Sequence, residues 1–439
     1  MNTTADRPAK ITEPHLRMDP ISGDRYTSHE WWLKEWKQMW MRTWQIGGLA
    51  CQAPESGDYL VVDLGPESIL IVRQDDGAFR AFYNVCPHRG TRLLSSPDGH
   101  AARITCPYHG WQFDRSGNIV AVPNPEDFRQ GDPRKQLHLA EIRCEELFGF
   151  VWFNMDLKAA TLAASLGGAV VNEIGSYRME NMVRVLNMTA EAECNWKLIT
   201  DNFNEAYHVQ TLHPELIPYI ENDGNTCQFD LLPNGHNRGW FPAYQPARVF
   251  EGASVAEPLV SLMAEWGLDA SKYTGAEGIA RIRLDIQKQK RQLGAERGYQ
   301  HYEHLEDYQL SDYIIYNLFP NSVITVGPDG VQLLRPRPHA SDPRKCYFDH
   351  WWLVPQIAGR KFTPSPAGGP DLPVEDAPLE FIKYGEKSLG RTADQDLSIG
   401  AIQQLGLRSA GFGHFYLAHQ ERRVQHFHEV LNDYVSATR

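Results

Sequence analysis

The feature that most constrains this chain is the stretch Cys86–Trp111, CPHRGTRLLSSPDGHAARITCPYHGW. It carries two ligand pairs, Cys86-x-His88 and Cys106-x-x-His109, with seventeen residues between them that must end one loop and begin another. Two thiolates and two imidazoles suit either a tetrahedral zinc ion or a [2Fe–2S] cluster with the cysteines on one iron and the histidines on the other. Spacing alone does not choose. Pro87 and Pro107 each follow a ligand cysteine, where a fixed φ and a missing N–H stiffen the loop tip. Gly90 and Gly110 permit turns that a β-carbon would obstruct.

The flanking text from Gln45 to about Asp156 is a series of short β runs: GDYLVVDL, ESILIVRQ, AFRAFYNV, WQFDRSGNIV and LFGFVWFN. Their alternating apolar residues, with turn signals at Gln74-Asp75-Asp76-Gly77 and Arg115-Ser116-Gly117-Asn118, predict antiparallel hairpins. A small β domain over residues 45–156 is therefore expected. Ahead of it, in residues 1–44, Pro8, Pro14, Pro20 and Gly23 mark an arm lying over the body. Thr27 and Glu30 form a capping-box pattern, and Trp32, Trp36 and Trp40 recur on one face of a helix built for packing.

Residues 157–439 read as a second, larger domain with its own chemistry. NWKLITDNFNEAYHVQTLHPEL places Asn202, Glu205 and His208 at i, i+3 and i+6, with Asp201 one turn before Glu205, on one helical face. His213 lies five residues beyond His208, about 140° round a regular helix, so an unbroken helix cannot aim both imidazoles at one metal. Pro214 pushes His213 out of the α region, ending the helix and freeing His213 to turn back. Two imidazoles need a carboxylate to complete a facial triad on Fe(II). The helix TADQDLSIGAIQQLGLRS offers Asp394 and Asp396. Elsewhere, GIARIRLDIQKQKRQLG predicts an amphipathic helix with a solvated basic face, and SDYIIYNLFPNSVITVG, GVQLLRPRP and KCYFDHWWLV predict strands. Thr363–Pro378 reads as a loop. His414, His419, His426 and His428, in a C-terminal helix, read as surface or packing residues.

Charge and composition exclude other classes. A net charge of −12 argues against a nucleic-acid surface, and no apolar run approaches a bilayer span. Met1–Lys10 is polar, without the pattern of a signal peptide, so a cytoplasmic protein is expected, with Cys51, Cys144, Cys194, Cys227 and Cys346 reduced.

Cys-Pro-His-Arg-Gly followed by Cys-Pro-Tyr-His-Gly-Trp resembles the cluster loops of a Rieske domain. With Asn202, Glu205, His208 and His213 downstream, nearly the whole chain resembles the α subunit of Rieske non-haem iron ring-hydroxylating oxygenases. The resemblance implies an α+β fold: a small antiparallel β Rieske domain, then a larger catalytic domain with an antiparallel sheet and flanking helices, helix-grip-like. It implies a [2Fe–2S] cluster on Cys86, His88, Cys106 and His109, and a mononuclear Fe(II) on His208, His213 and one aspartate. The family's Gln-x-Gly-Leu, here Gln404, Gly406 and Leu407, selects Asp396 over Asp394. Asp201, Asn202 and Glu205 would serve catalysis. Glu205 stands where the family usually has an aspartate that relays electrons from a neighbouring subunit's cluster, and glutamate there also occurs in relatives that attack quaternary amines.

Electrons would come from NAD(P)H through a separate reductase, directly or through a ferredoxin. The expected assembly is a homotrimer, with or without a small β subunit. The expected reaction is hydroxylation or oxidative demethylation of a small aromatic or alicyclic compound, with N-dealkylation of a quaternary amine as the alternative. The pocket is expected around Phe203, Val209, Leu212 and the strands near Ile314–Leu334. A pure electron carrier would leave Glu205, His208, His213 and Asp396 without a role.

Overall fold

A computed structural model describes residues 6–11, 14–252 and 254–436. Met1–Ala5 of the polar start lie outside the described residues. The chain divides into two compact units: residues 36–165 with 339–342, and residues 1–35, 166–338 and 343–439.

The smaller unit is built on a seven-stranded sheet in the order Gln45–Leu49, Phe150–Asn154, Glu141–Leu147, Phe79–Tyr83, Glu67–Arg73, Asp58–Leu64, Asp98–His100. All its pairs are antiparallel. A three-stranded sheet of Ile104–Thr105, Gln112–Phe113 and Ile119–Ala121 carries the second cysteine loop. The two predicted turns form where expected: Gly77 donates to Gln74 and Gly117 to Asp114. LFGFVWFN is not one run. Phe148 and Gly149 both take positive φ, 59° and 75°, and make a two-residue hairpin turn between two strands. Leu70, Phe82, Ile104, Trp111, Phe113 and Leu139 form the core under the cysteine loops.

The larger unit holds an eight-stranded sheet. Its strands are β1 (Met182–Ala192), β2 (Gln228–Leu231), β3 (Asn237–Phe241), β4 (Tyr313–Leu318), β5 (Ser322–Gly327), β6 (Gly330–Pro338), β7 (Cys346–Pro355) and β8 (Glu380–Lys383). They run in the order β2-β3-β4-β5-β6-β7-β1-β8, antiparallel except for the final pair β1 and β8, which is parallel. The helices that matter for the site are α1 (Trp196–Phe203), α2 (Val209–Leu212), α3 (Gly275–Leu293), α4 (Arg391–Gly406) and α5 (Arg422–Val435). Asn195 caps α1, its side chain accepting from the Lys197 N–H at 3.0 Å.

Four local expectations change. The first helix, His29–Gln38, is capped by Ser28, whose Oγ accepts from the Glu30 N–H, while Thr27 bonds back to Gly23. Trp40 falls beyond that helix in a 3-10 turn, though it is buried, as are Trp32 and Trp36. The basic face of α3 is not simply solvated. Arg283 is buried against Asp312 at 2.6 Å and Lys290 against Asp329 at 2.9 Å, because each aspartate supplies the counter-charge a buried cation needs. The 363–378 loop carries a small hairpin of Phe362–Thr363 and Leu372–Pro373. The arm is tied down within its own unit: Arg17 pairs with Asp433, and the Met18 N–H donates to Glu429. No helix among the described residues is long and apolar enough to cross a membrane.

Candidate active site

In the smaller unit the two ligand loops repeat one hydrogen-bond pattern. The Cys86 N–H donates to Thr91 and the Gly90 N–H to Cys86, just as the Cys106 N–H donates to Trp111 and the Gly110 N–H to Cys106, at 2.8–3.1 Å. Gly90 and Gly110 have φ of 76° and 69°. A β-carbon at either would meet nothing within 4 Å, so the need for glycine is the left-handed backbone and not the steric obstruction expected above.

The His88 and His109 rings lie 4.7 Å apart, and Trp111 stacks on His88 at 4.8 Å, fixing its plane. Both Nδ1 atoms are buried without a partner among the described residues, while Cys86 and Cys106 are buried within hydrogen-bonding reach of each other. Burial, with Cys106 beside it, pushes the Cys86 thiol up to about 11. Burial and then the His109 and Arg89 charges lower the His88 pKa, which keeps the imidazole neutral and able to coordinate. Two orphaned imidazole nitrogens beside two buried thiols fit a [2Fe–2S] cluster.

In the larger unit the expected single helical face does not exist. α1 stops at Phe203, and Asn204, with φ −90° and ψ 6°, closes it. Glu205 and His208 lie in the turn that follows, and helix resumes at α2. The break lets the Glu205 carboxylate curl back: it accepts from the Tyr207 and His208 N–H groups and bonds His208 Nδ1. His213 ends α2 with φ −123° and ψ 57°, outside the α region, as the following proline requires.

His208, His213 and Asp396 thereby bring one ligand atom each to within 4.8 Å of one another. Asp396 Oδ1 is 2.8 Å from His213 Nε2 and 3.5 Å from His208 Nε2. The opposite nitrogens are tied back, His208 Nδ1 to Glu205 and His213 Nδ1 to Gln395 Oε1 at 2.8 Å, which orients each ring. Burial opposes charge on His213, but Asp396 outweighs it and raises its pKa. Asp394 goes elsewhere: its carboxylate accepts from Ser388 Oγ and the Leu389 N–H ahead of α4. Two imidazoles and one carboxylate with outer partners fit a mononuclear iron with open positions.

Asp201 and Asn202 stand behind this group. Asp201 accepts from Tyr26 Oη at 2.6 Å and His428 Nε2 at 2.9 Å. Asn202 has a buried Oδ1 without a partner among the described residues and, with Asp396 and Gln403, lines a cavity of about 20 Å³. A larger cavity, about 510 Å³, is walled by Asp201, Glu205 and His208 and by Phe412, Phe415 and Tyr416. Of the residues expected around the pocket, Leu212 lines this cavity. Phe203 stacks on Phe348, and Val209 packs against the cluster of Ala206, Cys227, Phe229 and Phe241. His428, read as packing, is buried as such but also holds Asp201. Gln395 carried no sequence signal beyond its place next to Asp396.

Residues 43–138 match the family described as Rieske [2Fe-2S] domain, and residues 179–437 match the family described as Ring hydroxylating alpha subunit (catalytic domain). The chain is 33% identical over 199 residues to the carnitine monooxygenase oxygenase subunit of Escherichia coli (strain K12), covering 45% of this chain and 53% of that one. It is 31% identical over 217 residues to the biphenyl 2,3-dioxygenase subunit alpha of Rhodococcus jostii (strain RHA1), covering 47% and 45%. The matched stretch thus spans about half the length of these curated relatives. The fold is that of a solved quaternary ammonium Rieske monooxygenase, with a TM-score of 0.65 at 19% identity over 94% of this chain and 95% of the other. The chain belongs to the ring-hydroxylating α-subunit family, with a Rieske [2Fe–2S] domain ahead of its catalytic domain.

Proposed function

We propose that this chain is the terminal oxygenase of a multicomponent system that takes electrons from NAD(P)H through a separate reductase, directly or through a ferredoxin. It would use O2 to hydroxylate or oxidatively demethylate a small compound in the cytoplasm. The observation that carries this reading is the convergence of two imidazole Nε2 atoms on Asp396 while both Nδ1 atoms are tied back. Cys86, His88, Cys106 and His109 would hold the cluster, and His208, His213 and Asp396 the Fe(II). Bound by those three residues, Fe(II) would supply the activation of O2 beside substrate.

The chain's own residues hold and insulate that chemistry. Glu205 joins His208 on one side and lines the open cavity on the other. That cavity is where we place the cluster tip of a neighbouring copy in a homotrimer, with or without a small β subunit, making Glu205 the relay between them. Asp201, fixed by Tyr26 and His428, keeps a second carboxylate on the same wall. Asn202 offers a buried acceptor on the Asp396 side.

Glu205→Gln should leave about three irons and two sulfides per chain yet abolish coupled product formation, and near-normal turnover would remove the relay role. The substrate is aromatic or alicyclic on the main reading. The glutamate at position 205, and the quaternary-amine relatives that match the chain, favour N-dealkylation as the second reading. The EPR spectrum of the nitric-oxide adduct, recorded with aromatic, alicyclic and alkylammonium compounds, separates them by which class perturbs the signal.

A further inference from the structure

The C-terminal helix α5 buries a cation that the iron chemistry leaves unused. Arg423 is 0% exposed, and its guanidinium lies over the rings of Phe229 and Phe241 at 5.2 and 6.0 Å. Its Nη1 donates to Asn237 Oδ1 at 3.4 Å, whereas Nε and Nη2 have no partner among the described residues. A cation this deep needs opposite charge close by. Burial lowers its pKa to about 9, and the foremost influence opposing that shift is the Glu205 carboxylate.

The hydrogen bonds lead to the same place. Asn237, fully buried on β3, donates through Nδ2 to Asn204 Oδ1 at 2.9 Å. Asn204 is the residue that closes α1, and its own N–H returns to the Asp201 carbonyl. Arg423, Asn237 and Asn204 therefore form a buried chain that ends on the residue immediately before Glu205. Gly239, on the same strand, leaves the space: a β-carbon there would come within 2.9 Å of Arg423 Nη1.

We propose that Arg423 is a positioning residue for Glu205: through Asn237 and Asn204 it holds the break in the helix from which Glu205 reaches His208. This rests on the relay reading of Glu205. A shift of about 1 Å in a positioned group can cost about a hundredfold in rate, so loss of the chain should be visible in the step the relay serves.

The test is single turnover of the reduced holoenzyme with substrate, following cluster reoxidation and product, in Arg423→Gln, Asn237→Asp, Glu205→Gln and the Arg423→Gln/Glu205→Gln double variant. Asn237→Asp keeps the shape and gives Arg423 a rival carboxylate. In Asn237→Asp the iron and sulfide contents and the cluster spectrum should stay at wild-type values, with reoxidation about ten- to a hundredfold slower. The nitric-oxide adduct spectrum should change in the same sense as in Glu205→Gln, because both variants loosen the His208 ring. The double variant should be no slower than Glu205→Gln alone, since the two residues act as a unit.

If Arg423→Gln fails to retain iron, Asn237→Asp decides by the same readouts. Wild-type reoxidation in Asn237→Asp, or losses that add in the double variant, would overturn the inference while leaving the relay reading intact. Wild-type reoxidation in Glu205→Gln would instead overturn the relay reading itself, and this inference with it.

Discussion

His428 gives a quantitative prediction because its protonation state is written in its neighbours. Arg25 Nη1, which can only donate, lies 2.9 Å from His428 Nδ1, so Nδ1 is the acceptor and Nε2 carries the proton it donates to Asp201 Oδ1 at 2.9 Å. The imidazole is neutral, and burial first, then the Arg25 and Lys197 charges, pushes its pKa down to about 4 from an ordinary 6.5, against the pull of Asp201. An unfolded chain binds this proton near pH 6.5 and the native protein only near pH 4. Between those values the unfolded state holds more protons, so stability falls as pH falls. From pH 7 to pH 5 one such imidazole should cost about 2 kcal/mol.

His428→Gln isolates that contribution. The amide Oε1 can accept from Arg25 and its Nε2 can donate to Asp201, but the group does not titrate. Chemical denaturation of wild type and variant at pH 7, 6 and 5 should show the variant losing about 2 kcal/mol less across that window. His350, also buried with its pKa pushed by burial to about 4, remains in both proteins and cancels in the difference. Parallel losses in the two proteins would refute the buried neutral imidazole.

Three further outcomes are expected. Asp396→Asn should lose mononuclear iron while keeping cluster absorbance, whereas Asp394→Asn should keep both and lose about 1 kcal/mol of stability from the N-terminal end of α4, as metal analysis and denaturation will show. Lys197→Met strands Glu35, its ion-pair partner at 2.7 Å, with side chains 0% and 1% exposed. It should cost about 3–5 kcal/mol, while the Glu35→Leu/Lys197→Met double variant should recover most of that in the same denaturation series. Gly110→Ala should cost about 1–2 kcal/mol through its φ of 69° alone, because no neighbour blocks the β-carbon, and the cluster spectrum should survive.

The readings that held were those decided within a few residues. Both cysteine loops, the Gly77 and Gly117 turns and the exit of His213 from the helix before Pro214 are consequences of local backbone preference, and each formed as read. The helix through Glu205 did not. Residues 202, 205 and 208 have helical spacing, but the Glu205 carboxylate competes for the Tyr207 and His208 N–H groups and Asn204 turns to Asn237, so the intervening turn opens. α3 is only partly wet: Arg281, Lys288 and Arg291 are exposed, but Arg283 and Lys290 are buried against Asp312 and Asp329, which come from later in the chain.

By itself, then, the sequence determined the candidate ligand types, the two cysteine–histidine loops and the break at Pro214, while the preference for Asp396 came from the family resemblance at Gln404-x-Gly406-Leu407. Only the tertiary structure decided which distant groups meet. Asp396 reaches His213 across 183 residues and His428 reaches Asp201 across 227. The physical reason is that local steric and hydrogen-bond preferences act between near neighbours in the chain. A buried polar group takes whatever partner the packing of sheet and helices brings within about 3 Å, and sequence separation does not enter that energy.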